Sequence, residues 1–373
     1  MTLLIFLLIL SFLVFIHELG HFVMARRAGV KVEEFGFGYP PKAITLFTDK
    51  KGTEYTFNWL PFGGFVRLHG EDGSVNTDES HAFYSKKKRK RLGIIVAGAI
   101  MNFVFGVVAF GAIYTKTGIP TNLEYVRIDE ITEGSPAEQA GLVVGDRVVA
   151  VSHEGDKKEV KTNEDFILTL SGKRGAEVTL EVDGENENEQ KIVYVRKEDE
   201  IPEGEGAIGV AITDFEMRHY PIWQMPFRGM WVGLQAAVAF GVFLLGAIVT
   251  MFKELIFSGI VPKDVAGPVG IVHMAQKEGL LTSGFVSILN FSAILSINLG
   301  VVNLLPIPAL DGGRAVFVML EGLVGKKALE KIEQKTNTVG FILLLAMIVA
   351  VSVRDVRILL GDVGAKEWFS NLF

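Results

Sequence analysis

Long apolar runs alternate with polar segments along the chain. The apolar runs cover roughly residues 1–24, 92–114, 230–252, 288–305 and 338–353. An α-helix rises about 1.5 Å per residue, so two dozen residues reach roughly 35 Å, and the hydrocarbon core of a bilayer is about 30 Å thick. Because 49% of the residues are also hydrophobic, the pattern predicts an α-helical protein that crosses a membrane several times.

The order of charges around the first apolar run indicates its orientation. In a secretory signal peptide, basic residues precede the apolar core and a cleavage site with small residues follows it. Here Arg26 and Arg27 follow the core instead. The run is therefore predicted to be a retained helix, with its amino end outside the cell and the next loop in the cytoplasm.

Charged segments indicate which other parts face the cytoplasm. The basic hexamer KKKRKR at 86–91 could bind nucleic acid, but beside a membrane span it indicates the cytoplasmic face and contact with anionic lipid. The acidic segment 116–228 is predicted outside and the lysine-rich segment 325–335 inside. An odd number of membrane crossings must lie between these two segments, so only one of the two apolar runs between them can be a simple span. The run 288–305 leads directly to the lysine-rich segment, so we assign it as the span and 230–252 as interfacial or re-entrant. The prediction is about four spans.

The first run contains three ionisable residues, His17, Glu18 and His21. Each costs about 2.5 to 3.5 kcal/mol at the centre of a membrane helix, so three together need partners or a function. His17 and His21 are four residues apart and therefore share one helix face. The H-E-x-x-H pattern is typical of zinc hydrolases, in which two imidazoles bind the metal and the carboxylate accepts a proton from water.

Two histidines need a third protein ligand. The chain has no cysteine, so a zinc ion would be held by His, Asp or Glu, as in hydrolytic sites. The strongest candidate is Asp311 in NLLPIPALDGG, where Pro306 and Pro308 interrupt an apolar helix. Non-helical backbone at membrane depth is tolerated only where protein or a watery cavity surrounds it. The alternative is a proline-rich helix exit in which Asp311 is only a capping residue.

The cytoplasmic loop contains a predicted β-hairpin. AITLFT and TEYTFNWL alternate in polarity around DKKG, with Gly52 in the turn. Gly63 and Gly64 in the following PFGGFVRL would permit close approach of another backbone, although an ordinary turn explains them equally well. An edge strand at this position could pair with an extended peptide.

The outer segment resembles a bacterial PDZ domain. ITEGSPAEQAGLVVGDRVVAV at 131–151 has that domain's order of turn, short helix, turn and strand, and GAIGVAI at 206–212 is similar to its ligand-pairing strand. The resemblance implies an α+β domain, at about 121–215, that binds chain ends or extended segments by strand addition. A rigid spacer without a ligand is the alternative.

HELGH and NLLPIPALDGG together resemble the two signature motifs of the site-2 protease family of intramembrane zinc metalloproteases. The resemblance implies that His17, His21 and Asp311 bind Zn²⁺, that Glu18 is the catalytic carboxylate and that Asn303 contacts the substrate backbone. The bacterial branch that cleaves anti-sigma factors, the regulator of sigma-E proteases, has a PDZ insertion after its second span. PFGGFVRL is similar to its membrane-associated β element.

The family resemblance also implies a location and partners. The expected location is the bacterial cytoplasmic (inner) membrane, with the PDZ domain extracytoplasmic. The expected partners are the lipid bilayer, a peptide ligand of the PDZ domain, and a transmembrane substrate such as an anti-sigma factor or a signal peptide remnant. No nucleic acid is expected. Asn102, Asn298 and Asn303, in otherwise apolar runs, would line a water route or bond a neighbouring helix.

The expected fold is thus an α-helical polytopic membrane protein with a cytoplasmic β hairpin and an inserted α+β domain. Two other functions stay open: a metal or proton transporter, which would be expected to show internal repeats that are not visible here, and a catalytically inactive zinc-binding PDZ scaffold. The predicted divisions are a first helix (1–25), a cytoplasmic loop (26–91), a second helix (92–114), the outer region (115–228), an apolar interfacial region (229–284), a helix with the NLLPIPALDGG motif (285–324), a cytoplasmic loop (325–336) and a last helix with its tail (337–373).

Overall fold

The computed structural model describes residues 2–71, 80–183, 189–202, 204–258 and 267–362. The chain forms two compact units, one of Met1–Lys116 with Pro226–Phe373 and the other of Thr117–Met225. Residues 259–266 of the predicted interfacial region and the predicted tail from residue 363 lie outside the described residues.

Helices dominate the first unit and strands the second. In chain order the elements are α1 (Thr2–Ala28), β1 (Val32–Thr48), β2 (Glu54–Leu68), α2 (Lys88–Thr117), β3 (Ile119–Ile131), α3 (Pro136–Gln139), β4 (Arg147–His153), β5 (Asp156–Glu159), α4 (Asn163–Ser171), β6 (Glu177–Asp183), β7 (Glu189–Tyr194), β8 (Val210–Arg218), α5 (Met225–Ser258), α6 (Pro268–Lys277), α7 (Phe285–Asn303), α8 (Asp311–Val324) and α9 (Lys326–Asp362).

Five helices in the described part of the chain are long and apolar enough to cross a membrane. Four of them correspond to the four predicted spans, and the fifth is α5, which contains the run 230–252 that we predicted to be interfacial or re-entrant. These candidate spans are Thr2–Ala28, Lys88–Thr117, Met225–Met251, Phe285–Asn303 and Lys335–Leu360.

The direction of α5 bears on whether it crosses. Gly229 lies against Thr115 of α2, and Gly233, one turn later, lies against Val107, about two turns earlier in α2. Helix α5 is therefore antiparallel to α2. Helix α7 is antiparallel to α2 as well, because the Ser296 hydroxyl donates to the Asn102 carbonyl at 2.9 Å and Gly300 then meets Ala99.

Helices α5 and α7 consequently run in the same direction. Two successive membrane crossings run in opposite directions, because the second must return the chain to the side that the first left. Both α5 and α7 could therefore cross only if the segment between them, which contains α6, returned the chain across the membrane. That residues 230–252 do not cross stays a prediction, and the shared direction of α5 and α7 favours it.

Strands β1 and β2 are long and bent, so that part of β1 pairs with β2 on both of its sides. The turn between them is closed by the Gly52 amide, which donates to the Asp49 carbonyl at 3.0 Å, and Gly52 has the positive φ of 78° that glycine adopts readily. Phe35 in β1 pairs with Tyr55 on one side and with Val66 on the other. The last part of β2 therefore forms an edge of the sheet, and this part packs against α1.

The proline-containing segment separates α7 from α8 and determines where Asp311 lies. Helix α7 ends at Asn303 and α8 begins at Asp311. A Cβ on Gly312 or Gly313 would collide with backbone carbonyl groups of the segment 304–307. The two glycines therefore allow the chain to turn tightly at membrane depth. Helix α8 is then fixed by Ala315 and Val318, which pack in a buried apolar cluster with Ile94 of α2.

The second unit is a mixed α/β domain. Its six-stranded sheet has the order β7-β6-β4-β3-β8, with β5 paired to β4, and the paired strands are antiparallel. Ser135 and Thr162 cap the short helices α3 and α4 by accepting backbone N–H groups. Buried apolar residues from the sheet and from α4, including Phe166, fill one core. The assignment of this domain as a PDZ domain stays a prediction.

Candidate metal centre

Helix α1 and the start of helix α8 bring the predicted ligands together. His17 and His21 lie one turn apart on the buried face of α1, with only 6% and 8% of their surface exposed. Asp311 is the first residue of α8. The ring nitrogens of both histidines and a carboxylate oxygen of Asp311 lie within 4.8 Å of one another. The structure therefore joins residues that are 290 positions apart in the sequence, measured from His21 to Asp311.

The spacing of the three atoms fits a zinc ion. His17 Nε2 lies 3.0 Å and His21 Nε2 3.2 Å from Asp311 Oδ2, and the two Nε2 atoms are 3.2 Å apart. Ligands about 2.0–2.1 Å from a tetrahedral zinc ion are roughly 3.3 Å from one another. The adjoining cavity, of about 120 Å³, is large enough for a water molecule, so the site has room for a fourth, non-protein ligand.

The ring orientation of His21 is fixed by a backbone group. Its Nδ1–H donates to the Ile94 carbonyl of α2 at 2.8 Å. This bond places the ring proton on Nδ1 and leaves the lone pair of Nε2 directed toward His17 and Asp311. A metal-binding histidine is commonly oriented in this way, by a hydrogen bond from its other ring nitrogen.

Close contact between α1 and α2 depends on two glycines. A Cβ on Gly20 of α1 would collide with the Ala97 carbonyl of α2. A Cβ on Gly98 of α2 would lie 2.7 Å from His17 Nε2 and even closer to His21 Nε2. Both positions leave no room for a side chain, so the absence of a Cβ at residue 98 makes space for both imidazoles.

Glu18 lies beside the ligands and is held by the β-hairpin. Its carboxylate accepts the Val66 backbone N–H of β2 at 3.1 Å. Glu18 and the three ligand candidates line the same small cavity. The edge of β2 thereby positions the carboxylate that the H-E-x-x-H motif supplies.

Charged residues form the polar wall of this cavity. Arg314, one turn after Asp311, donates to Glu71 at 2.6 Å, and its Nε lies 3.6 Å from Glu333. Burial opposes the charge of Arg314, but Glu71 and Glu333 outweigh it and raise the pKa of the guanidinium, which stays cationic. Leu68, Glu71 and Arg314 also line a larger cavity of about 860 Å³, so a polar route adjoins the metal centre.

The structure places the other predicted site residues at different distances from this centre. Gly64 lies against α1, where a Cβ would be 3.9 Å from Glu18 Cγ, and Gly63 lies against Val14. The close backbone contact of Gly64 is with the Gly36 carbonyl of β1, which would lie 2.9 Å from such a Cβ. Asn303 is half-buried at the end of α7, is not among the residues lining the small cavity, and makes no side-chain hydrogen bond within the described part of the chain. The roles of all three toward substrate stay predictions.

Several residues that shape the centre were not identified from the sequence. The Ile94 carbonyl and the Val66 N–H act through the backbone, and no residue type signals such a role. Gly98 contributes by lacking a side chain. Arg314 was weakly indicated by the sequence, because it lies three residues after Asp311 and therefore on the same helix face.

The fold and the site together define a class: a protein with several candidate membrane helices, a His-His-Asp cluster that could hold a metal ion, and an adjacent glutamate. The sequence profile of peptidase family M50 matches residues 5–347, and the chain belongs to this family. A protein of Fusobacterium nucleatum described as a “Putative zinc metalloprotease” is 33% identical over 360 residues, which cover 95% of this chain and 98% of the relative. Proteins with the same description from Clostridium perfringens and Rickettsia conorii are 32% identical over 351 residues and 31% identical over 365 residues, in each case covering 94% of this chain and 97% of the relative.

Proposed function

We propose that this protein is an intramembrane zinc endopeptidase that hydrolyses a peptide bond within or near the transmembrane segment of a membrane protein. One observation carries the proposal: the ligand atoms of His17, His21 and Asp311 lie 3.0–3.2 Å apart, and Glu18 lines the same cavity. The H-E-x-x-H histidines lie on a helix long and apolar enough to span a bilayer. The metalloprotease descriptions of the relatives support the same activity.

The residues of the chain have distinct roles in this reaction. When bound, zinc polarises a carbonyl group and makes water more acidic. Glu18 accepts a proton from the attacking water and passes it to the leaving amine. The Val66 N–H orients the Glu18 carboxylate toward the cavity. Asn303 is proposed to hydrogen-bond a substrate carbonyl, which requires the substrate to bring its backbone to the end of α7.

Cleavage within a membrane helix also requires unwinding of the substrate. Neighbouring turns shield the peptide bonds of a helix, and a backbone opened at membrane depth needs new hydrogen-bond partners. The β1–β2 sheet lies directly beside Glu18 and could provide such partners by strand addition. Gly63 and Gly64 are proposed to permit close approach of an extended substrate backbone to this part of β2.

The finer assignment concerns location and partners. We place the protein in the bacterial cytoplasmic membrane, with the second unit as an extracytoplasmic PDZ domain that binds a peptide. The substrate class is a single-span membrane protein that has lost most of its outer domain, such as an anti-sigma factor or a signal peptide remnant. The arginines in the last turn of α1 and the basic hexamer at the start of α2 support this orientation.

Two substitutions and a chelator test the proposed activity in one membrane preparation with a membrane-spanning reporter. Glu18→Gln is expected to retain zinc and to lose cleavage by at least about 100-fold, because the proton acceptor is lost while all three ligands stay. Asp311→Ala is expected to lose both zinc and cleavage. Cleavage by the unmodified protein should stop with a zinc chelator and return with added zinc.

The alternatives give different results in the same assay. A metal transporter would move zinc across vesicles and leave the reporter intact. An inactive scaffold would bind zinc without turnover in any variant. Normal cleavage by Glu18→Gln would exclude the proposed mechanism, and full zinc content in Asp311→Ala would show that the third ligand is a different residue.

A further inference from the structure

The second ring nitrogen of His17 faces a buried amide whose role the motifs do not explain. Asn102 of α2 has no exposed surface, although it lies in a helix that is otherwise apolar at this depth. Its Nδ2 atom is 3.4 Å from His17 Nδ1. Its Oδ1 atom is buried and has no hydrogen-bond partner in the described part of the chain. A buried polar atom without a partner costs about 1–3 kcal/mol, so this amide needs an explanation.

The chemistry of the imidazole supplies one. A neutral histidine has one N–H and one nitrogen lone pair, so a ring that binds metal through Nε2 must carry its proton on Nδ1. If the amide nitrogen of Asn102 faced Nδ1, two N–H donors would meet. That contact would require the ring proton to be on Nε2, which would then be unable to bind metal. A carboxamide rotated by 180° has nearly the same shape and presents its oxygen instead. In this orientation Asn102 Oδ1 accepts the His17 Nδ1–H, and Nδ2 takes the buried position in which Oδ1 had no partner.

We propose that Asn102 is a positioning residue for the metal centre, accepting the Nδ1–H of His17 so that Nε2 is directed to zinc. This inference rests on the proposed zinc site. In this arrangement both histidines donate their Nδ1–H to an oxygen atom, since His21 donates its own to the Ile94 carbonyl. Both acceptors belong to α2, so α2 orients both imidazoles of α1.

The backbone of Asn102 also contacts α7. The Ser296 hydroxyl, which is fully buried, donates to the Asn102 backbone carbonyl at 2.9 Å. This bond uses only the backbone of residue 102, so removing it does not remove the amide. Ser296 therefore provides a matched control in the same helix contact.

The experiment measures zinc affinity of the full-length protein in detergent by competition with a chelator of known affinity. Asn102→Leu preserves the approximate volume and removes the acceptor, and zinc binding is expected to weaken by about 10–100-fold. Asn102→Asp keeps an acceptor oxygen and is expected to stay within about threefold of the unmodified protein, as is Ser296→Ala. With Co²⁺ in place of zinc, the visible absorption bands should change in Asn102→Leu only.

The outcomes separate this inference from the proposed function. If the unmodified protein binds no zinc, the zinc site itself is wrong. If it binds zinc and Asn102→Leu binds equally well, or if Asn102→Asp is as weak as Asn102→Leu, Asn102 does not act as an acceptor. Should Asn102→Leu fail to give folded protein, Asn102→Ala replaces it, and the contrast with Asn102→Asp is read in the same way.

Discussion

At the scale of single residues, the candidate metal centre depends on Gly98, which has no Cβ atom. Any side chain at residue 98 would need the space of the two imidazoles, and a Cβ there would lie 2.7 Å from His17 Nε2. Real Cβ atoms do not approach other atoms this closely, so the rings would have to move and the ligand triangle would open.

We therefore expect Gly98→Ala to weaken zinc binding by more than about tenfold, the scale found when groups that orient metal ligands are lost. Gly93→Ala is the control in the same helix, because its Cβ would meet only the flexible end of Met24, at 3.0 Å. Zinc content after mild chelation, measured on both variants, gives the comparison. Equal zinc retention would mean that α1 and α2 can separate without disturbing the site.

The turn of the β-hairpin contains a pH-sensitive contact. Arg26 of α1 forms an ion pair with Asp49 and donates to Thr53 at 2.8 Å. The Arg26 guanidinium lowers the pKa of Asp49 from 3.8 to about 2. Because the folded value lies below the unfolded one, the stabilisation is complete above about pH 4 and is lost as the pH falls toward 2.

Amide hydrogen exchange of residues 49–53, corrected for the intrinsic effect of pH, is therefore expected to accelerate between pH 4 and 2. Asp49→Asn removes the titrating group while keeping a similar shape, so its corrected exchange should already be fast at pH 5 and should change little below it. Identical pH profiles in the two proteins would show that another group governs the docking of the hairpin on α1.

These residues also show what could be predicted from the sequence. His17, Glu18, His21 and Asp311 are recognisable because their chemistry lies in their side chains and ionisable groups are costly in a membrane helix. The Ile94 carbonyl and the Val66 N–H are present in every residue type, so only the packing of α2 and β2 on α1 reveals their role. Asn102 was recognised as unusual from its polarity, but its contact with His17 depends on helix packing.

At the scale of elements, helix α6 is capped by a residue of another helix. Gly267, the residue before α6, provides no side-chain cap. Instead, Asp355 of α9 accepts the backbone N–H groups of Gly267 and Gly270, both at 2.9 Å. Asp355 is 6% exposed, so the N–H groups would have little access to water without it. Helix α6 in turn packs on the first half of α1 through Val272.

Asp355→Ala is expected to lower the free energy of unfolding by about 1–3 kcal/mol, because two helix N–H groups lose their acceptor in a buried place. Asp355→Asn keeps one acceptor oxygen and should lose less. Denaturant unfolding in detergent, followed by circular dichroism, measures both variants, and zinc content should stay unchanged because the cap is not part of the metal centre. Unaltered stability of Asp355→Ala would mean that water replaces the carboxylate.

The break between α7 and α8 was predicted at the correct place because proline cannot continue a helix and glycine permits the tight turn. Helix α5 was more difficult. Its composition alone predicts a span, whereas charge parity along the chain predicts none. The parallel direction of α5 and α7 depends on how each helix packs on α2. For α5 this packing is through Gly229 and Gly233. No local sequence pattern predicts such a long-range contact.

At the scale of the whole molecule, the proposed catalytic residues and the domain proposed to select substrates belong to different units. The ligand candidates and Glu18 all lie in the first unit, so the second unit contributes no proposed catalytic group. It can be removed cleanly, because Pro120 pairs with Met217 and Thr121 with Glu216. A short flexible linker between residues 120 and 216 therefore spans only the distance between paired strands, about 5 Å.

We expect the protein that lacks residues 121–215 to retain zinc and to cleave both a trimmed substrate and one that still carries a bulky outer domain. The full-length protein should cleave only the trimmed substrate, because the second unit is proposed to exclude large outer domains or to require a free chain end. Cleavage of both substrates by both proteins is compared in one membrane preparation. If the shortened protein binds zinc and is folded yet cleaves neither substrate, exclusion by size is wrong, and the second unit must instead help the first to adopt its active conformation.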